Sequence, residues 1–121
     1  MIKHAENAPS YEATCVNDKY IQFSDGKILA NAYTKGYFYT SGIPVKRGQV
    51  ASVYCKVGTA VSVISQYNGE GQNYSPFVRG EGTGEYKTYS YTATEDCYIS
   101  ISAKTDEGTL VTIDGVNVNL I

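Results

Sequence analysis

From about residue 19 onward the chain alternates between short apolar–polar runs and turn dipeptides. The pattern is clearest in Cys97-Tyr98-Ile99-Ser100-Ile101-Ser102-Ala103. There Cys97, Ile99, Ile101 and Ala103 share one side, and Tyr98, Ser100 and Ser102 share the other. Successive side chains of a strand point to opposite faces, so a period of two predicts a half-buried antiparallel strand. Val61-Ser62-Val63-Ile64-Ser65-Gln66-Tyr67 reads the same way, with Val61, Val63 and Tyr67 on one face. Asp25-Gly26, between residues 20–23 and 27–33, suits a tight type I′ hairpin turn. Asp114-Gly115, between Leu110–Ile113 and Val116–Leu120, is a second strong hairpin signal. Gly58-Thr59 predicts another hairpin, joining residues 49–57 to 60–67. Residues 36–45 read as one strand, with Pro44 marking an edge or strand end because proline cannot donate to a ladder.

Short strands at this spacing predict an all-β fold, an antiparallel β-sandwich spanning residues 19–121. Two stretches break the rhythm. Residues 1–18 carry Pro9 and little periodicity, and read as an irregular N-terminal arm. Residues 68–84 hold five glycines around a polar and aromatic insert, and two readings stand. One is a flexible hairpin loop with an edge strand. The other is a binding loop, because loops on a rigid sandwich commonly carry recognition.

Composition agrees with strands. The chain has 121 residues, one domain's worth, with 12 Tyr, no Trp and leucine only at Leu29, Leu110 and Leu120. Val, Ile, Thr and Tyr suit a pleated, half-buried surface. A net charge of -2 with no basic stripe argues against a nucleic-acid partner. No apolar run approaches the roughly 20 residues of a bilayer span, so no membrane partner is expected. The first residues lack the apolar core of a signal peptide, so the chain either stays where it was made or has been trimmed. Cys15, Cys55 and Cys97 lack metal-ligand spacing and read as free thiols, with a Cys55–Cys97 bridge as the alternative.

Chemistry is sparse. His4 is the sole histidine and sits in the irregular lead-in, away from any nucleophile–base arrangement. The acids Glu70, Glu81, Glu85, Glu95, Asp96, Asp106 and Glu107 sit in or beside turns, where solvated carboxylates are expected. The expectation is therefore a protein that is not an enzyme and needs no cofactor. Asp106, Glu107 and Asp114 are the residues to watch for a loop-held calcium ion. The positive signal lies in the aromatics. Tyr67, Tyr74 and Phe77 cluster around the glycine-rich stretch with Arg79 close by, and Tyr89 and Tyr91 share a strand face, as do Tyr37 and Tyr39. Tyrosines flanked by Asn, Gln and Ser supply rigid, amphipathic contact area, so Tyr67, Tyr74, Phe77, Arg79, Tyr89 and Tyr91 form the candidate ligand site. The competing reading makes most of them core or sheet-face residues.

Three passages carry a family resemblance. Tyr39-Thr40-Ser41-Gly42-Ile43-Pro44-Val45-Lys46-Arg47-Gly48-Gln49 resembles a strand followed by I-P-V and K-x-G in small jelly-roll modules of bacteriophage tail, fibre, head-fibre and receptor-binding proteins. Val63-Ile64-Ser65-Gln66-Tyr67-Asn68-Gly69 is similar to a strand those modules end with an aromatic and a polar-Gly turn. Tyr91-Thr92-Ala93-Thr94-Glu95-Asp96-Cys97-Tyr98-Ile99-Ser100-Ile101-Ser102 resembles their entry into a late core strand, with Cys97 where a small residue is usual. Related sandwiches occur in carbohydrate-binding modules. The resemblance implies a jelly-roll-like virion protein, assembled in the host cytoplasm as a homo-oligomer or with other virion proteins. It acts through assembly and surface binding, with a host-surface glycan as a candidate partner. The alternative is a carbohydrate-binding module of a bacterial glycan-processing or adhesin protein, extracellular or on the cell surface.

Overall fold

The computed structural model describes residues 11–121. In chain order the strands are β1 (Tyr11–Ala13), β2 (Cys15–Asn17), β3 (Tyr20–Ile21), β4 (Ile28–Leu29), β5 (Tyr37–Thr40), β6 (Ile43–Val45) and β7 (Val50–Cys55). They continue with β8 (Ser62–Gln66), β9 (Ser75–Arg79), β10 (Lys87–Thr92), β11 (Cys97–Lys104), β12 (Leu110–Ile113) and β13 (Val116–Leu120). Two sheets pack face to face. The first has the order β1-β13-β12-β7-β10, and the second β2-β5-β11-β8-β9, with β6 following β5 along β11. All pairings are antiparallel except that of β1 with β13. The chain changes sheet between β6 and β7, β7 and β8, β9 and β10, β10 and β11, and β11 and β12. This is a jelly-roll-like connectivity, in the all-β sandwich that the alternating pattern predicts.

Strand β7 shows how the sequence builds the first sheet. Ala51, Val53 and Cys55 turn inward and are buried, while Val50 and Tyr54 face solvent. They meet Val111 and Ile113 of β12 on the same side, opposite Ile99 and Ile101 of the second sheet. Each such side chain, fully buried, contributes roughly 1.5–3 kcal/mol. The Asp114-Gly115 hairpin forms as expected, with φ of 48° and 80° at its two central residues and β12 paired to β13.

Strand β11 departs from the expected half-burial. Ile99 through Ala103 are all buried, Ser100 and Ser102 included. The reason is a third layer. The β3–β4 hairpin lies over the outer face of the second sheet, and Ile21 N donates to Ser102 Oγ at 3.1 Å. Ile21 also packs with Tyr39 and Tyr74 in a second apolar cluster. Buried hydroxyls need partners. Ser102 Oγ donates to the Phe38 carbonyl at 2.9 Å, and Ser100 Oγ to the Thr40 carbonyl at 2.5 Å.

Five expectations need correction. Residues 11–17 are not irregular: β1 extends the first sheet and β2 the second, because the chain switches sheets at Thr14. The rest of the expected arm, 1–10, lies outside the described residues. Residues 49–57 and 60–67 do not form a hairpin, since β7 and β8 belong to opposite sheets and Gly58-Thr59 crosses between them. Asp25-Gly26 is not a two-residue turn. Gln22 and Lys27 close a longer loop in which only Gly26 has positive φ. Tyr67 parts from Val61 and Val63, because an irregularity in the β8–β9 register lets both Val63 and Ile64 join the main core.

Finally, residues 36–45 are not one regular strand. The register against β11 advances by one residue between Tyr39↔Ser102 and Ile43↔Ile99, which is a bulge at residues 40–42. Thr40 closes it: its Oγ1 accepts from Ile101 N at 3.0 Å while its carbonyl takes the Ser100 hydroxyl. Thr40→Val keeps the shape but leaves the buried Ile101 N–H without an acceptor, a loss of about 1–3 kcal/mol. The expected outcome is a lower urea midpoint at unchanged m-value, with Thr40→Ser close to wild type.

Candidate functional site

The bulge opens onto a cavity of about 250 Å³. Tyr39 and Ser41 line it from the bulged strand, Thr14 and Val16 from the sheet-switching segment, and Tyr67, Glu70 and Tyr74 from the loop between β8 and β9. One backbone–side-chain and one backbone–backbone hydrogen bond hold the first wall to the second. Thr14 N donates to Ser41 Oγ at 2.9 Å, and Ser41 N donates to the Thr14 carbonyl at 2.9 Å.

The loop is fixed at both ends. Asn68 Nδ2 donates to the Asn73 carbonyl at 2.6 Å, and Tyr74 N donates to the Gly26 carbonyl at 2.8 Å. Gly26 has φ of 71°, and a Cβ built there would lie 1.7 Å from the Tyr74 carbonyl oxygen. Only glycine permits that approach. Gly42 does the same for Tyr67, whose ring would sit 2.9 Å from an added Cβ.

The three rings meet edge to face. Tyr67 and Tyr74 have centroids 5.7 Å apart at 69°, and Tyr39 and Tyr74 6.1 Å apart at 68°. Such pairs contribute about 0.5–1.5 kcal/mol beyond their buried area. Burial raises the Tyr74 hydroxyl pKa to about 12, with Tyr39, Tyr67 and Glu70 adding to the effect. Tyr39 is raised by burial first, then by Glu70 and Tyr67. Both hydroxyls therefore stay protonated at neutral pH and remain donors. The Tyr74 hydroxyl is buried with no hydrogen-bond partner among the described residues.

The structure divides the six expected site residues. Tyr67 and Tyr74 come together in the cavity. Phe77 and Tyr91 stack on each other, centroids 4.2 Å apart at 9°, and pack against the main core. Tyr89 is buried in that core, and its hydroxyl accepts from Glu81 N at 3.0 Å. Arg79 is exposed at the end of β9. The six therefore do not form one surface, because inward-facing positions of β10 belong to the sandwich interior. Sequence reasoning missed Tyr39, which it paired with Tyr37. Tyr37 shares that strand face, opposite Lys104 as Tyr39 is opposite Ser102, but packs against Tyr20 away from the cavity, ring centroids 4.9 Å apart. The signal was Gly42, because a glycine inside a strand pattern marks a bulge or a close backbone approach.

The structure does not gather the calcium candidates into one group. Asp106 accepts from the Tyr86 hydroxyl and from Gly108 N, and lies 3.6 Å from Lys56 Nζ. Asp114 Oδ1 accepts from Val50 N at 2.8 Å, and Glu107 is exposed. No group of three or more metal-ligating side chains gathers among the described residues. The Cys55–Cys97 bridge is overturned: all three cysteines are free, and Cys55 and Cys97 stand in opposite sheets. Burial pushes the Cys55 thiol up to about 12.

No family model matches the chain, and neither a curated protein nor a solved structure matches it.

The raised pKa values make stability pH-dependent on the alkaline side. The folded state holds the Cys55 proton up to about 12, against an ordinary value of 9.0, and the Tyr74 proton up to about 12, against 10.0. Their contribution is complete below pH 9 and is lost as pH rises toward 12, because the unfolded chain releases these protons first. Urea midpoints measured against pH should fall over that window. Cys55→Ala should reduce the part that begins near 9, to which Cys15 and Cys97 also contribute, and leave the part due to Tyr74 and Tyr39.

Proposed function

We propose that this chain is a non-catalytic module of bacteriophage virion type, assembled in the host cytoplasm, that attaches to a surface group held in the tyrosine-lined cavity. The observation that carries the reading is the Tyr74 hydroxyl, buried at the cavity wall with no partner among the described residues. Leaving a buried donor unsatisfied costs about 1–3 kcal/mol, and natural folds tolerate such local violations mainly where function requires them. The sequence resemblance over residues 37–103 supports the virion setting.

Assembly draws support from the outer face of the first sheet. Val50, Tyr54 and Leu110 are exposed there, beside the uncharged Ser90, Thr92 and Thr112. Interface cores are depleted of charge and enriched in tyrosine, so this face suits a second copy of the chain or another virion protein. A carbohydrate-binding module is the second reading. The same face favours it, since Tyr54 offers an exposed ring among hydroxyls that could bond a glycan.

Fluorescently labelled protein should bind bacterial envelopes, and Tyr67→Ala should weaken that binding about tenfold or more, the loss of a central aromatic contact. Tyr54→Ala should leave attachment intact and lower the sedimentation coefficient of any oligomer. Envelope binding that ignores Tyr67→Ala but is lost with Tyr54→Ala would favour the carbohydrate module. Absence of binding to any envelope would sink the attachment reading.

A further inference from the structure

The cavity is a box rather than a platform. Tyr74 crosses both Tyr39 and Tyr67 at nearly 70°, and Tyr39 and Tyr74 are only 5% and 3% exposed. A sugar ring stacks on an open aromatic face, which these two rings do not offer. Three rings set at steep angles instead line one small volume. The negative face of an aromatic ring attracts a cation placed within about 6 Å of its centroid.

Charge points the same way. Glu70 stands at the cavity as its one ionised group, and no lysine or arginine lines the cavity among the described residues. An anionic ligand would meet repulsion from that carboxylate. A primary ammonium ion would have to shed its strongly held water against a wall in which ring carbon and Val16 outweigh the hydroxyls and the Glu70 carboxylate. A cation whose charge is wrapped in methyl groups loses less water there and fills the box by contact.

We propose that the cavity binds a quaternary ammonium group, caged by Tyr39, Tyr67 and Tyr74 and neutralised by Glu70. The proposal rests on the reading of this cavity as the attachment site and names its ligand class. The Tyr74 hydroxyl adds one feature. It is buried without a partner among the described residues, on a ring that lines the cavity, so a ligand oxygen that reached it would gain a donor. Choline and its esters, including those displayed on cell surfaces, combine these two features.

Calorimetric titration of the full chain with choline, and with its isostere in which carbon replaces the charged nitrogen, tests the idea. Choline should bind, and the neutral isostere should bind about tenfold or more weakly, the value of a desolvated cation–π contact. Glu70→Gln alters an exposed side chain and should not disturb folding, yet should weaken choline about fivefold or more, in keeping with a lost charge partner. Tyr67→Ala should also weaken it. Equal binding of choline and the isostere, or choline binding unaffected by both variants, would overturn the proposal. If choline does not bind while envelopes are still held in a Tyr67-dependent way, the cation fails and the attachment reading stands. Choline binding without envelope binding would support the cation cage and remove the attachment role.

Discussion

Thr40 and Ser100 close a gap in the second sheet that ladder hydrogen bonds alone do not span. The bulged strand carries one residue more than its partner here, and a buried N–H and C=O would otherwise go unpaired. The Thr40 hydroxyl accepts from Ile101, and Ser100 donates to the Thr40 carbonyl. Both bonds are buried, where losing a partner costs far more than the bond contributes on a surface. Because side chains alternate along a strand, the extra residue also changes which face the following residues occupy. Tyr39 and Ser41 thus line the same cavity, Ile43 enters the core, and Gly42 leaves room for the Tyr67 ring.

The same stitch explains why the outer face of this sheet is not left to water. With Tyr39 turned outward and Ser100 and Ser102 satisfied, the face can accept the β3–β4 hairpin as a cover. Gly26 brings that hairpin against the backbone of Tyr74, so the cover also anchors the loop that completes the cavity. Polar groups buried in this way are demanding: fully bonded they hold one arrangement, and partly bonded they are a liability. The Tyr74 hydroxyl is the exception in this layer, and its ring lines the cavity.

The two faces of the molecule consequently suit different work. The outer side of the first sheet carries exposed Val50, Tyr54 and Leu110 beside the uncharged Ser90, Thr92 and Thr112, which fits contact with a broad partner. The cavity on the second sheet is small, aromatic and acid-tipped, which fits a compact cationic group. Separate faces would let one chain assemble and attach at once, as the proposed role requires.

The period-two patterns of 97–103 and 110–120, with the turn at Asp114-Gly115, were enough to establish an all-β sandwich from sequence. Strand identity is local, because it follows from side-chain alternation and from the φ values that Gly and Asp tolerate. Which strands share a sheet is not local. Gly58-Thr59 looks like a hairpin turn yet carries the chain across the core, since β7 finds its partners far along the chain, in residues 87–92 and 110–113. Burial on a second face is equally hidden: nothing in Ser100 or Ser102 announces that a hairpin from residues 20–29 will lie over them. Tyr67 and Tyr74 stood out in the sequence because they flank a glycine-rich loop. Tyr39 did not, because its place in the cavity depends on a bulge, and a bulge exists only when two strands are laid side by side.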